Sequence, residues 1–205
     1  MNNFWLCRKL WSYLYWTPAI VFLSDHFFHV KTITGRSMQP TLNPDSSQWR
    51  DVALFSKFAV REAQEYGRGD IVTIRSPENP KYVLIKRIIA MEGDIVKTLP
   101  PYPDLEATVP QGHVWIEGQE SMPLIGKCPP GDEHFLSDDS NRFGPVSKGL
   151  IESKLLMIIW PPQRFGSVNV KANPTKGLSL NDEQRRELSR HARVQISASS
   201  FSSGQ

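Results

Sequence analysis

The chain has 205 residues, with 40% apolar and 22% charged side chains and a mean hydropathy of -0.36, which excludes both a disordered polyelectrolyte and a polytopic membrane protein. Its length suits one domain with additions. Residues 1–170 carry 18 basic and 18 acidic side chains, so the net +3 sits wholly in residues 171–205; the body lacks the basic face of a nucleic-acid binder, and no nucleic-acid partner is expected.

In chain order, residues 1–9 form a short N-terminal segment ending in Arg8 and Lys9. Leu10–Val30 follows, an apolar and aromatic stretch whose 21 residues would span about 31 Å as a helix, enough to cross a bilayer. It is read as a transmembrane anchor in the lipid bilayer, with an amphipathic or buried helix as the alternative. Pro18 would kink it, and Asp25, His26 and His29 suit an interfacial position. No small-x-small cleavage pattern follows, so the anchor is expected to stay uncleaved. Arg8 and Lys9 favour a cytoplasmic or matrix N-terminus, with the remainder across the membrane.

From residue 31 to 165 short β-like runs alternate with Gly and Pro. Asp70–Arg75, Tyr82–Ala90, Asp94–Thr98, His113–Glu117 and Leu155–Trp160 read as strands. Proline-bearing loops occupy residues 99–110 and 121–133. The pattern predicts a mainly β, antiparallel domain. Residues 166–205 read as a polar, partly disordered tail. Within it Asn181 and Gln184 form a capping pair for a helix through about Val194, with too few apolar residues for a core.

Cys7 and Cys128 are too few for a disulfide scaffold and the wrong number for a zinc ribbon; they are read as unpaired. The five histidines show neither HExxH nor another ligand spacing, so no metal and no cofactor is expected. A Ser-His-Asp arrangement using His113 or His134 is compatible with the composition, but there is no GxSxG elbow.

Four segments stand out together: Gly35–Leu42 (GRSMQPTL), Arg68–Val72 (RGDIV), Lys86–Asp94 (KRIIAMEGD) and Ser137–Val146 (SDDSNRFGPV). In order and character they resemble the signal peptidase I family of membrane-bound Ser-Lys proteases over about residues 10–165. The block DSNRFGPVSKGLI, followed by WPPQRFG, is most similar to the mitochondrial inner membrane protease branch, its subunit 2 above all. The resemblance implies a signal-peptidase-like antiparallel β catalytic domain behind an N-terminal transmembrane helix. It also implies removal of hydrophobic sorting segments from precursor proteins, a homologous inner membrane protease subunit 1 as heterodimer partner, and a catalytic domain facing the intermembrane space. A bacterial-type signal peptidase and a non-catalytic stabilising subunit are the alternatives. Self-cleaving repressors share the chemistry but need a DNA-binding module, where this chain has an anchor-like segment.

By the same resemblance Ser37 is the nucleophile, Lys86 the general base, Ser137 the serine that orients the lysine, and Asp139 a supporting residue. A serine hydroxyl needs a base, and a lysine with an ordinary pKa of about 10.4 cannot be one at neutral pH. Lowering it by about three units takes roughly 4 kcal/mol of ammonium destabilisation, which apolar burial supplies. Alternation places Lys86 with Tyr82, Leu84 and Ile88, but Arg87 has an equally apolar face; arginine is excluded because it does not deprotonate. Asn141 stands where the family usually has arginine, which puts a buried Asp-Arg pair in doubt. Gly35 replaces a serine many relatives use as an oxyanion donor, so the hole is expected to rely on the Ser37 N–H. Met38 and Pro40 are read as shaping the nucleophile loop and substrate groove. Arg68, Gly69, Asp70, Gly93 and Asp94 are read as structural turn residues.

Overall fold

The computed structural model describes residues 15–19, 21–22, 26–44, 49–119, 138–168, 189–190 and 192–196. Its strands are β1 (Phe28–Thr32), β2 (Val52–Ser56), β3 (Ile71–Arg75), β4 (Val83–Ala90), β5 (Ile95–Lys97), β6 (Glu106–Thr108), β7 (His113–Glu117), β8 (Val146–Ser147), β9 (Ile151–Trp160) and β10 (Val194–Gln195). They form a seven-stranded sheet ordered β1-β2-β9-β3-β4-β7-β8 and a three-stranded sheet ordered β10-β5-β6. Every strand pairing is antiparallel, as expected.

The interior strands are apolar on both faces because both are covered. Ile71, Val72, Thr73 and Ile74 of β3 are all buried, as is β4 from Lys86 to Ala90. Strand β9 holds the sheet together: Ile151–Lys154 pair with β3, and Lys154–Trp160 pair with β2. One apolar cluster joins Met38 and Leu42 to Ala53, Phe55, Ile71, Leu155 and Ile158. A second gathers Val72, Ile74, Ile88, Ile116 and Val146, and a third surrounds Trp115 with Ile89, Val96 and Val109.

Several expectations change. The last three residues of the expected 10–30 span, Phe28–Val30, run in β1 against Leu54–Ser56. Residues 15–19 and 21–22 are helical, and among the described residues no helix is long and apolar enough to cross a membrane. Strand β2 was not expected, because VALFS is short and bounded by Asp51 and Lys57; its Ala53 and Phe55 are nonetheless fully buried. Strand β9 starts four residues before the expected Leu155, because its first residues extend the sheet onto β3.

Two parts of the tail join the body. Gly166 exchanges two backbone hydrogen bonds with Ile158, and Val168 packs against the first cluster. Val194 pairs with Val96 on β5 and packs against the third cluster. A single apolar residue suffices because it completes a core built by the body. Residues 169–188 with the Asn181 cap, and both cysteines, lie outside the described residues.

Candidate active site

The loop that carries Ser37 leaves β1 and turns back toward β2, and its ends are tied together. Asn43 and Asp51 exchange hydrogen bonds of 2.8 Å each, Asn43 N–H to Asp51 Oδ2 and Asp51 N–H to Asn43 Oδ1. Asn43 Nδ2 donates to the Ile33 carbonyl at 2.8 Å and to the Gly35 carbonyl at 3.3 Å. Asp51 is fully buried and is ion-paired with Arg164, whose Nη2 also donates to the Thr41 carbonyl at 2.6 Å. Between these ties the chain makes a helical turn, with Gln39 N–H to Arg36 O and Leu42 N–H to Met38 O at 2.9 Å. Met38 and Leu42, 3% and 1% exposed, pin that turn to the core. Met38 is therefore the loop's anchor, while half-buried Pro40 follows a cis Gln39–Pro40 bond. Ser37 itself is half-buried, and its N–H makes no hydrogen bond to another described residue.

Lys86 is 2% exposed on β4. Its register partner on β3 is Val72, and directly paired residues share a face, so Lys86 lies on the Val72 and Ile88 side, both fully buried. Arg87, 5% exposed, lies on the other face, donates from Nη1 to the Gly69 carbonyl at 2.8 Å and sits opposite Glu117 of β7. The two cations thus lie on opposite faces of β4, and Arg87 is held by a backbone contact.

The two chemistry-bearing segments meet at the end of β7. The Gln119 N–H donates to the Ser37 carbonyl at 2.7 Å. The Gly118 N–H points to Asp139 Oδ2 at 3.4 Å. Glu117, next before them, faces Arg87, the neighbour of Lys86. Three residues of β7 and its extension therefore touch the Ser37 loop, Asp139 and the strand that carries Lys86. Asp139, 2% exposed, also caps the helical turn Ser140–Phe143 by accepting from Asn141 N–H at 3.0 Å. Ser137 lies outside the described residues.

Comparison with known proteins shows what lineage this arrangement belongs to. Residues 7–99 match the family model described as signal peptidase, peptidase S26. The mitochondrial inner membrane protease subunit 2 of Schizosaccharomyces pombe is 43% identical over 155 residues, 75% of this chain and 77% of the relative. The subunit 2 of Danio rerio is 41% identical over 170 residues, covering 83% and 85%. The mitochondrial ATP-independent inner membrane protease subunit 1a of Arabidopsis thaliana is 39% identical over 172 residues, covering 82% and 88%. The chain belongs to the signal peptidase S26 family.

In this S26 peptidase the position with the unusual asparagine is filled and satisfied. Asn141 is 3% exposed; its Oδ1 accepts from the Leu99 N–H at 2.9 Å and its Nδ2 donates to Glu117 Oε1 at 3.3 Å. Arg142 does not take over a buried ion pair, because its guanidinium turns outward to Asp138 and Glu78. Gly35 has φ +100° with open space where a Cβ would stand, so the loop needs glycine for its backbone and offers no side-chain donor there. The turn residues are structural as expected: Arg68 grips fully buried Asp94 by two bonds of 2.8 Å. His113 contacts the Gln111 carbonyl through Nδ1 at 2.9 Å, and His134 lies outside the described residues. Among the described residues no three His, Cys, Asp or Glu side chains cluster as a metal site.

Sequence reasoning missed the Asn43–Asp51–Arg164 tie and Glu117. The tie joins residues up to 123 positions apart, and no local pattern announces it. Glu117 carried a faint signal, an acidic residue closing the apolar strand HVWIE. Its carboxylate is 1% exposed and accepts from Trp115 Nε1 at 3.1 Å.

Proposed function

We propose that this S26 peptidase is a membrane-anchored serine endopeptidase that removes hydrophobic sorting segments from precursors bound for the mitochondrial intermembrane space. The observation that carries the reading is the meeting of the Ser37 loop, the Lys86 strand and Asp139 on Glu117–Gln119. Ser37 Oγ attacks the scissile carbonyl while Lys86 Nζ, neutral in its buried setting, takes the hydroxyl proton. The oxyanion forms against the Ser37 N–H. Collapse breaks the C–N bond, Lys86 returns its proton to the leaving amine, and the mature product departs. Water, deprotonated by Lys86, then hydrolyses the ester on Ser37 and releases the sorting segment as an acid. Ser137 orients the Lys86 amine, and Asp139 supports the Gly118 backbone.

The names of the relatives support a mitochondrial inner membrane location and a subunit organisation with a homologous subunit 1. Residues 10–27 are the proposed single anchor, with the β domain facing the intermembrane space. Nine residues, 28–36, separate Phe27 from Ser37, so the nucleophile stays within about 36 Å of the end of the proposed anchor even in an extended chain. The enzyme would cut within that reach of the bilayer.

Ser37→Ala and Lys86→Met, the latter chosen to keep the buried volume, are each expected to abolish precursor cleavage in mitochondria lacking the wild-type chain, at unchanged protein level. Normal processing by Ser37→Ala would make the chain a stabilising subunit instead. Protease protection of the β domain in intact mitochondria, and its loss after rupture of the outer membrane, tests the orientation.

A further inference from the structure

The C-terminal segment reaches the candidate site through one side chain. Arg193 Nη2 donates to Glu117 Oε2 at 2.7 Å and Arg193 Nη1 to Glu117 Oε1 at 3.1 Å, with side chains 13% and 1% exposed. This is the two-pronged guanidinium–carboxylate geometry. The arginine is delivered by its surroundings: Val194 and Gln195 pair with Val96 and Ile95 of β5, Val194 packs near Trp115, and Arg193 Nη1 lies 3.3 Å from the Lys97 carbonyl. Among the described residues Arg193 is the cation that hydrogen-bonds Glu117; Arg87 stands opposite Glu117 in the β4–β7 pairing, and Trp115 Nε1 and Asn141 Nδ2 are neutral donors.

A buried carboxylate that loses its hydrogen-bonded cation costs several kcal/mol, and it reduces that cost by moving toward water. That movement displaces Glu117, and the next two residues are those whose N–H groups hold Asp139 and the Ser37 carbonyl. On the reading proposed above, we infer that Arg193 is a positioning residue for the Ser37–Lys86 centre: it neutralises Glu117 and so fixes the Gly118–Gln119 backbone against which the nucleophile loop is set. The tail's positive charge thus acts partly inside the enzyme, although its sequence reads as a polar appendage.

The test uses the full chain, solubilised in detergent with any subunit that accompanies it, and a radiolabelled precursor carrying a hydrophobic sorting segment. Single-turnover rates are measured with enzyme in excess. Arg193→Ala is expected to lower the saturating rate at least tenfold, with the half-saturating enzyme concentration within twofold. Arg193→Lys, which keeps the charge and loses the fork, is expected to recover part of the rate. Arg193→Ala combined with Glu117→Gln, which removes the carboxylate together with its guanidinium partner, is expected within threefold of wild type. A wild-type rate in Arg193→Ala overturns the inference, and so does a double variant that is folded yet ten times slower than wild type. If Arg193→Ala does not fold, Arg193→Lys decides: a folded Arg193→Lys with a lowered saturating rate supports the positioning role, and a wild-type saturating rate overturns it. Ser37→Ala runs alongside: cleavage by it defeats the underlying protease reading, whereas an inactive Ser37→Ala beside a fully active Arg193→Ala defeats only the role of Arg193.

Discussion

Ser37 is an unremarkable turn serine until its neighbours are counted. Its loop is fixed by Asn43, Asp51 and Arg164, and buried Asp51 links the other two. Arg164→Met removes the cation from a fully buried carboxylate and is expected to cost about 3 kcal/mol, read as a lowered denaturation midpoint together with slower cleavage. Gly35 poses the opposite case, a place where adding chemistry should fail. Gly35→Ser puts a side chain on a residue at φ +100°, at a strain of about 1–2 kcal/mol, so it is expected to slow cleavage and lower the melting temperature even though the new hydroxyl resembles the donor of other family members. Faster cleavage by Gly35→Ser would show that the loop accepts a side-chain donor.

Among the elements, β4 and β7 are the scaffold of the site and are steadied from outside. Glu92, in the turn after β4, lies 2.9 Å from Lys148 and accepts from the Gly112 N–H at 2.8 Å, tying the β4–β5 turn to the β7–β8 region. The Lys148 hydrogen bond, aided by the Gly112 N–H, holds the Glu92 pKa below 4.5. A depressed carboxylate stabilises the fold above its unfolded pKa and loses that contribution as pH falls through the folded value. Because both side chains of the pair reach solvent, the stake is small, about 0.5 kcal/mol. Glu92→Gln is therefore expected to lower the denaturation midpoint slightly at pH 7 and to match wild type at pH 3. The elements also show where reading the sequence worked. Strands β3, β4, β5 and β7 were legible within a residue or so because each is a β-branched run closed by glycine or a charge. Strands β1 and β2 were not: β1 continues an apolar run that reads as membrane helix, and β2 is too short to announce itself without β9 beside it.

For the whole molecule the decisive fact is that β9 lies between β2 and β3. Residues more than 90 positions apart must meet before the sheet has a centre, as in the pairing of Ser56 with Lys154. Truncation after residue 150 is expected to yield a protease-sensitive chain without a cooperative unfolding transition. Truncation after residue 168 keeps β9 and the Gly166 bridge, and is expected to leave a trypsin-resistant β domain of lowered stability that lacks β10.

By itself the sequence pointed to the mainly β class and the likeness to S26 peptidases, and named a serine and a lysine to consider. Those follow from residue types at short spacing, where local rules hold. Only the tertiary structure decided that Glu117–Gln119 is the meeting point, that Asn43, Asp51 and Arg164 tie the Ser37 loop, and that a tail arginine reaches the buried Glu117. Each depends on partners far apart along the chain, brought together by antiparallel pairing and by the cost of leaving a buried charge alone. The net +3 in the tail is an instance: its sum is legible in the sequence, but the burial of Arg193 against Glu117 is not.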